Sequence, residues 1–356
     1  MTLQRQVTFW VAALAVLVVL LWSLGDVLLP FVAGMVLAYL LDPLARRGEK
    51  LGISRGISAL IVLTLAILLV VVGVMAVAPV LADQFAAFAK NLPRYVAKLQ
   101  SLVSDPSRPW LTKIFGGGNL PDPGKSIETL VTQGSGFIAG FVTSLWSGGR
   151  AVFSVLSLLI VTPVVAFYLL CDWERLVRTV DGWIPLPHRQ TVHVLARRID
   201  RAVAGFIRGQ SLLCLILAAY YAIGLTLCGL NFGFLIGLMT GLFSFIPFVG
   251  ALTGFVVAAI VAVAQFWPDW VSIALVIGVF ILGQGLEGYV LSPKLVGAEV
   301  GLHPVWLMFA LLASGYLFGF VGLLVAVPVA AALGVLIRFA IEKYKESPIY
   351  TGKEAA

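Results

Sequence analysis

The chain has 356 residues, of which 60% are hydrophobic and only 12% charged. A soluble domain of this length has too little interior for so much apolar surface, and several apolar runs exceed about 18 residues, enough to cross a bilayer. The formal charge of +7 does not point to nucleic acid, because the basic residues cluster in short segments between apolar runs, as positive cytoplasmic loops do.

The first expected helix covers residues 7–24 with Arg5 before it; no small-x-small cleavage site follows, so it reads as a retained helix rather than a signal peptide. The chain should turn at Gly25 and Asp26 and return over 27–44, with Pro30 tolerated in the first turn. Arg46, Arg47, Lys50 and Arg55 form the first strongly basic loop, which puts that loop and the N-terminus in the cytoplasm. A third span over 57–80 completes a block of residues 1–80.

Residues 81–149 are expected outside the membrane. Phe85, Phe88, Leu92, Tyr95, Val96, Leu99 and Leu102 recur at three- and four-residue steps with Lys90, Arg94 and Lys98 between them, the pattern of an amphipathic helix. It has three possible seats: the membrane surface, a neighbouring subunit, or its own subunit. The glycine-rich tip at 116–126 fails the phosphate-loop spacing, since Asn119 stands where a glycine is required.

A span over 151–170, kinked at Pro163, leads to a second basic cytoplasmic segment, 171–208. Arg197, Arg201 and Arg208 lie there at helical steps, which suits a helix at the headgroups that either contacts anionic lipid or takes part in gating. His188 and His193 have no cysteine or carboxylate at ligand spacing, and Cys171, Cys214 and Cys228 show no CxxC pattern. Neither metal, disulfide nor cofactor is expected.

Residues 209–340 read as a transport core, followed by a cytoplasmic tail, 341–356. A span over 211–227 precedes an apolar stretch, 232–266, that is broken around Pro247 and Gly250. A second span over 271–291 precedes another stretch, 305–337, that is broken between Gly315 and Gly322. Each stretch is too long for one straight crossing and short for two. A helix plus a broken hairpin thus occurs twice, entered from opposite sides, an inverted arrangement by which discontinuous helices enclose a site near mid-membrane. Four ordinary spans joined by tight turns would give the same pattern. The expected fold is all-α: a polytopic helical membrane protein with about eight membrane segments, two of them broken hairpins that either cross or re-enter.

Gly233, Gly237 and Gly241 form a small-residue ridge for close helix contact, within the subunit or between subunits. Gln284 and Glu287, three residues apart on one helical face, lie among Gly283, Gly285 and Gly288 and just before Pro293 and Lys294. An acid in an apolar run costs several kcal/mol unless it meets protein, water or a cation. Glu287 is therefore either a proton or sodium site or the partner of Lys294.

These residues carry a resemblance. Phe245 to Gly250 with Gly254 behind them, Gln284, Glu287, Gly288, Leu291 and Pro293, then Leu302, His303 and Pro304, and Gly319 with Gly322 leading to Ala326 and Pro328, resemble the AI-2E family of transporters, also called the autoinducer-2 exporter or PerM-like permease family. Pro30, Phe31, Ala38, Tyr39, Asp42, Pro43, Phe167, Tyr168, Asp172, Gly209 and Gln210 resemble its pattern upstream. The likeness spans almost the whole chain; Tyr289 stands where that family would have asparagine. The resemblance implies a bacterial or archaeal inner-membrane protein of about eight segments that exports small solutes such as autoinducer-2. Some relatives are implicated in sodium/proton antiport, and a homo-oligomer, a pentamer among the choices, is implied too.

The sequence thus suggests a secondary transporter whose two broken hairpins enclose a small polar solute on a path lined by Gln210, Pro247, Gly250, Gly254, Gln284, Gly319 and Gly322, with Glu287 taking a proton or sodium ion and His303 either positioning the last hairpin or joining the proton path. A sodium/proton antiporter, a passive oligomeric channel and a membrane scaffold are the alternatives. HExxH and paired intramembrane aspartates are absent from the sequence, so an enzyme is not expected.

Overall fold

The computed structural model describes residue 16, residues 25–103, 149–247, 249–296 and 303–347, and residue 350. Among these, the chain forms α1 (Gly25–Lys50), α2 (Arg55–Val103), α3 (Gly149–Asp181), α4 (Arg189–Leu227), α5 (Gly233–Phe243), α6 (Val249–Phe266), α7 (Trp270–Gly285) and α8 (Pro304–Glu346), and no strand. A 3-10 turn, Leu186–His188, precedes α4, and α7 runs straight into a π-helix, Leu286–Val296. Among the described residues, six segments are long and apolar enough to span a membrane: Val27–Lys50, Arg55–Tyr95, Leu186–Leu227, Val249–Phe266, Trp270–Val296 and Val305–Glu346. The all-α reading holds; apart from residue 16, which is helical, the helix expected over 7–24 lies outside the described residues, as does the loop at 116–126.

Several boundaries move. Gly25 and Asp26, expected as a turn, are helical and belong to α1, which runs past residue 44 and takes in Arg46, Arg47 and Lys50. The expected break after residue 80 is absent, and α2 continues through Pro79 and Pro93 because 81–103 keeps a helical composition without a glycine. α4 likewise joins the basic 189–208 segment to the apolar run without interruption, where a surface helix turning into the membrane was expected. The last helix passes residue 340 into the expected tail.

The chain divides into two compact units. The first is built from described parts of Met1–Ile67, Leu156–Gln210 and Pro293–Ala356. Its core places Ala38, Leu41 and Ala45 of α1 against Ala59 and Leu63 of α2 and Ala166 and Leu170 of α3. Three of these alanines are fully buried, so the helices approach closely, as small residues allow. Asp42 then gathers charges from three elements: Arg46 Nε at 2.8 Å, Arg55 Nη2 at 2.9 Å and Arg208 Nη2 at 3.7 Å. Arg55 Nε also donates to the Leu170 carbonyl at 2.8 Å, and Arg208 Nε to the Tyr39 carbonyl at 2.9 Å. The basic residues read as solvated loop charges are thus partly the ties that hold helix ends together.

His193, an exposed histidine, has a partner that local spacing does not show. Its Nε2 meets the Asp181 carboxylate, which also receives Arg189, so the turn between α3 and α4 is closed by an Asp–Arg–His cluster. The hydrogen bonds from Arg189 and then His193 hold the Asp181 carboxyl well below the usual carboxylate range.

α8 folds back on itself within the first unit. Gly319 has φ 58° and ψ −137° inside the helical run. A side chain built on Gly322 would overlap the Ser314 carbonyl, although residues eight apart in a straight helix are separated by about 12 Å. The break expected between Gly315 and Gly322 is therefore a real fold-back, and α8 packs against α1.

The second unit is built from described parts of Leu68–Val155 and Ser211–Ser292. Gly233, Gly237 and Gly241 of α5 lie so close to α4 that side chains there would collide with the backbone of Leu225, Ala222 and Ala218. The ridge contact is internal to the chain. α5 has 11 residues, a length of about 16 Å, roughly half the hydrocarbon thickness. The far part of α2 seats on its own subunit: Phe88 meets Phe232 edge-on at 5.4 Å, Asn231 Nδ2 donates to Tyr95 Oη at 3.2 Å, and Gln84 Oε1 accepts from the Leu235 amide at 3.0 Å. That glutamine satisfies one of the amides left open at the start of α5.

Candidate functional site

The site is built on α7. Asp269 caps its start by accepting from the Val271 amide at 3.1 Å and the Ser272 amide at 3.4 Å, and the Ser272 side-chain bond holds its carboxyl below the ordinary range. From there the helix is apolar until Gln284. At Leu286 the ladder widens to a π-helix of 11 residues containing Pro293. Such wide turns are rare and concentrate at functional positions. Proline suits one, because it cannot donate to the fourth preceding carbonyl and would crowd it in an α-helix.

Glu287 sits in the first turn of that π-helix, half-buried. Gln284 Nε2 donates to Glu287 Oε2 at 3.0 Å and lies 3.4 Å from Tyr221 Oη, its second acceptor. The two polar residues thus share a face, and among the described residues no ion pair joins Glu287 to Lys294. An amide partner leaves the carboxylate's charge uncompensated, which is costly in an apolar helix and favours a proton or a cation.

Tyr221 is the residue that sequence reasoning passed over. It is 0% exposed on α4, and its ring stacks on Phe280 with centroids 4.9 Å apart and planes 27° apart. The absence of a side chain at Gly283 leaves room for its hydroxyl, since an added Cβ would lie 2.5 Å from it. Next to it, Tyr220 Oη donates to the Val279 carbonyl at 3.0 Å. Cys214, two turns earlier on α4, lies within electrostatic range of Glu287 as Tyr221 does. The available signal was a tyrosine inside an apolar run, because a buried phenol needs a polar partner. Of the glycines around this pair, Gly283 makes room for the Tyr221 ring, while Gly285 and Gly288 border open space within the chain.

The other expected residues have definite places. Pro247 lies in the turn between α5 and α6, and Gly250 and Gly254 press against Ser244 and Thr240 of the facing leg, so both hold the hairpin shut. Phe255 of α6 meets Phe280 of α7 edge-on at 5.4 Å. Gln210 is buried on α4, beside Gly209, which abuts the Leu295 carbonyl. His303 caps α8, its Nδ1 accepting from the Val305 amide at 3.3 Å, with Pro304 as the first helical residue. Gly319 and Gly322 form the fold-back and Pro328 lies farther along α8. Pro293 and Lys294 lie in the π-helix.

Residues 9–342 match the model of the AI-2E family transporter. The chain is 30% identical over 326 residues to YrrI of Bacillus subtilis, covering 89% of each. To YueF of the same organism it is 27% identical over 309 residues, 85% of this chain and 81% of that one. Both carry the name of transport proteins by assignment. PerM of Escherichia coli, assigned as a permease, is 25% identical over 336 residues, 92% of each.

Proposed function

Because the chain belongs to the AI-2E transporter family, a multi-pass membrane transporter of the cell membrane, we propose that it exports a small polar solute, of the autoinducer-2 kind, coupled to a proton or sodium gradient through Glu287. The observation that carries this reading is the half-buried Glu287 carboxylate, hydrogen-bonded by Gln284 at 3.0 Å with no cation among the described residues to neutralise it. A group so placed favours binding a proton or sodium ion where one is abundant and releasing it where it is scarce. Gln284, held between Glu287 and the buried Tyr221, orients the carboxylate and would transmit its protonation to α4.

The test is flux in proteoliposomes with a panel of small polar solutes, autoinducer-2 among them, under imposed proton or sodium gradients. Wild type should accumulate its solute against a gradient. Glu287→Gln should lose that accumulation by about 5- to 150-fold, the span of a coupling free energy of about 1–3 kcal/mol. Accumulation that persists in Glu287→Gln removes the residue from coupling. Flux that only ever runs downhill in wild type means a passive channel instead.

A further inference from the structure

A cavity of about 570 Å³ opens between α1, α3 and α4, wholly within the first unit. Four guanidinium groups, Arg46, Arg197, Arg201 and Arg208, line it against two carboxylates, Asp42 and Asp200. Asp42 is shared by Arg46, Arg55 and Arg208, and Asp200 accepts from Tyr39 Oη at 3.1 Å. Arg197 donates only to the His193 carbonyl, at 3.2 Å, and Arg201 has no carboxylate partner among the described residues. Two uncompensated guanidinium groups thus stand one turn apart on α4, at the rim of a concave site.

The opposite wall is apolar. Met35, Leu169 and Trp173 line it, and the face of α1 that carries Asp42 continues through Met35 to Phe31, 48% and 46% exposed. All three helices change from apolar to charged sequence at this level, as helices do at headgroups. A free anion would use the guanidinium groups and leave the apolar lip uncovered. A ligand with an anionic head and a hydrocarbon tail uses both.

We propose that this cavity binds the headgroup of an anionic phospholipid, its phosphate on Arg197 and Arg201 and an acyl chain along Met35 and Phe31. Guanidinium forks match phosphate oxygens in pairs, and Tyr39 and Trp173 supply the amphipathic rings suited to the interface.

The full chain, purified in a neutral detergent, is titrated with dioleoylphosphatidylglycerol, dioleoylphosphatidylcholine or glycerol 3-phosphate, reading bound adducts by native mass spectrometry and the shift in Tm. Phosphatidylglycerol should bind in preference to both others. The double variant Arg197→Gln/Arg201→Gln should weaken it about thirty-fold, from the usual contribution of two basic residues near an anionic lipid surface. Lys90→Gln/Arg94→Gln should leave it unchanged. Equal binding of phosphatidylcholine, or an unchanged double variant, overturns the proposal. Glycerol 3-phosphate binding as tightly as phosphatidylglycerol overturns the lipid in favour of a free phosphate ester. Should the double variant not fold, Arg201→Lys keeps the charge and loses the fork: weakened phosphatidylglycerol binding supports the site, and unchanged binding overturns it.

Discussion

A methyl group at Gly283 has nowhere to go, because the Tyr221 ring it would strike is stacked on Phe280. Gly283→Ala should lower Tm in detergent by the equivalent of about 1–3 kcal/mol, the usual cost of overpacking. The same change at Gly285, which borders open space, should be neutral or stabilising by up to about 1 kcal/mol through helix propensity. The contrast separates packing from composition. Asp181 gives a pH prediction of definite sign. Its carboxyl is held below the ordinary range by Arg189 and His193, so the turn's stabilisation is fully present above the unfolded carboxylate pKa of about 4 and is lost as pH falls below it. Protection of the Gly182 and Trp183 amides, their exchange compared with the intrinsic rate at each pH, should therefore stay high from neutral pH down to about 4 and fall progressively below it. In Asp181→Asn it should be low across that range.

At the scale of elements, Gly319 turns α8 with a backbone that L side chains rarely adopt, while its surroundings are open. Gly319→Ala should therefore cost about 1–3 kcal/mol through strain alone, read as a drop in Tm with no recovery on trimming neighbouring side chains. This fold-back and the turn at Pro247 were both legible in sequence, because glycine or proline must interrupt an apolar run to bend it. The Gln284–Glu287 pair was legible for a related reason: helical spacing three apart fixes a shared face. What was not legible depends on partners distant in the chain. Arg208 reaches the Tyr39 carbonyl across 169 positions, and Tyr221 reaches Gln284 across 63. No local pattern announces either. The direction in which Gly250 and Gly254 face was hidden likewise, since a glycine reads the same beside a solute and beside a helix.

For the whole molecule, the two connections flanked by arginines, 51–54 and 182–188, belong to one unit, and Arg55 ties the start of α2 to the Leu170 carbonyl within α3. Positive charge beside such short connections favours the cytoplasmic face. In a chain freed of its native cysteines, Leu51→Cys and Leu186→Cys, at positions 81% and 80% exposed, should both react with an impermeant maleimide in inverted vesicles and neither in intact cells. Labelling of the two from opposite sides would refute that topology. Within the second unit, the glycine ridge of α5 meets bare backbone on α4, leaving no flexible side chains between them to absorb small displacements. The ridge repeats every four residues, so the next register at which α5 seats on α4 lies about 6 Å along the axis. Any sliding there is a ratchet with discrete positions. The hairpin either rides with α4 as one piece or jumps by a full notch.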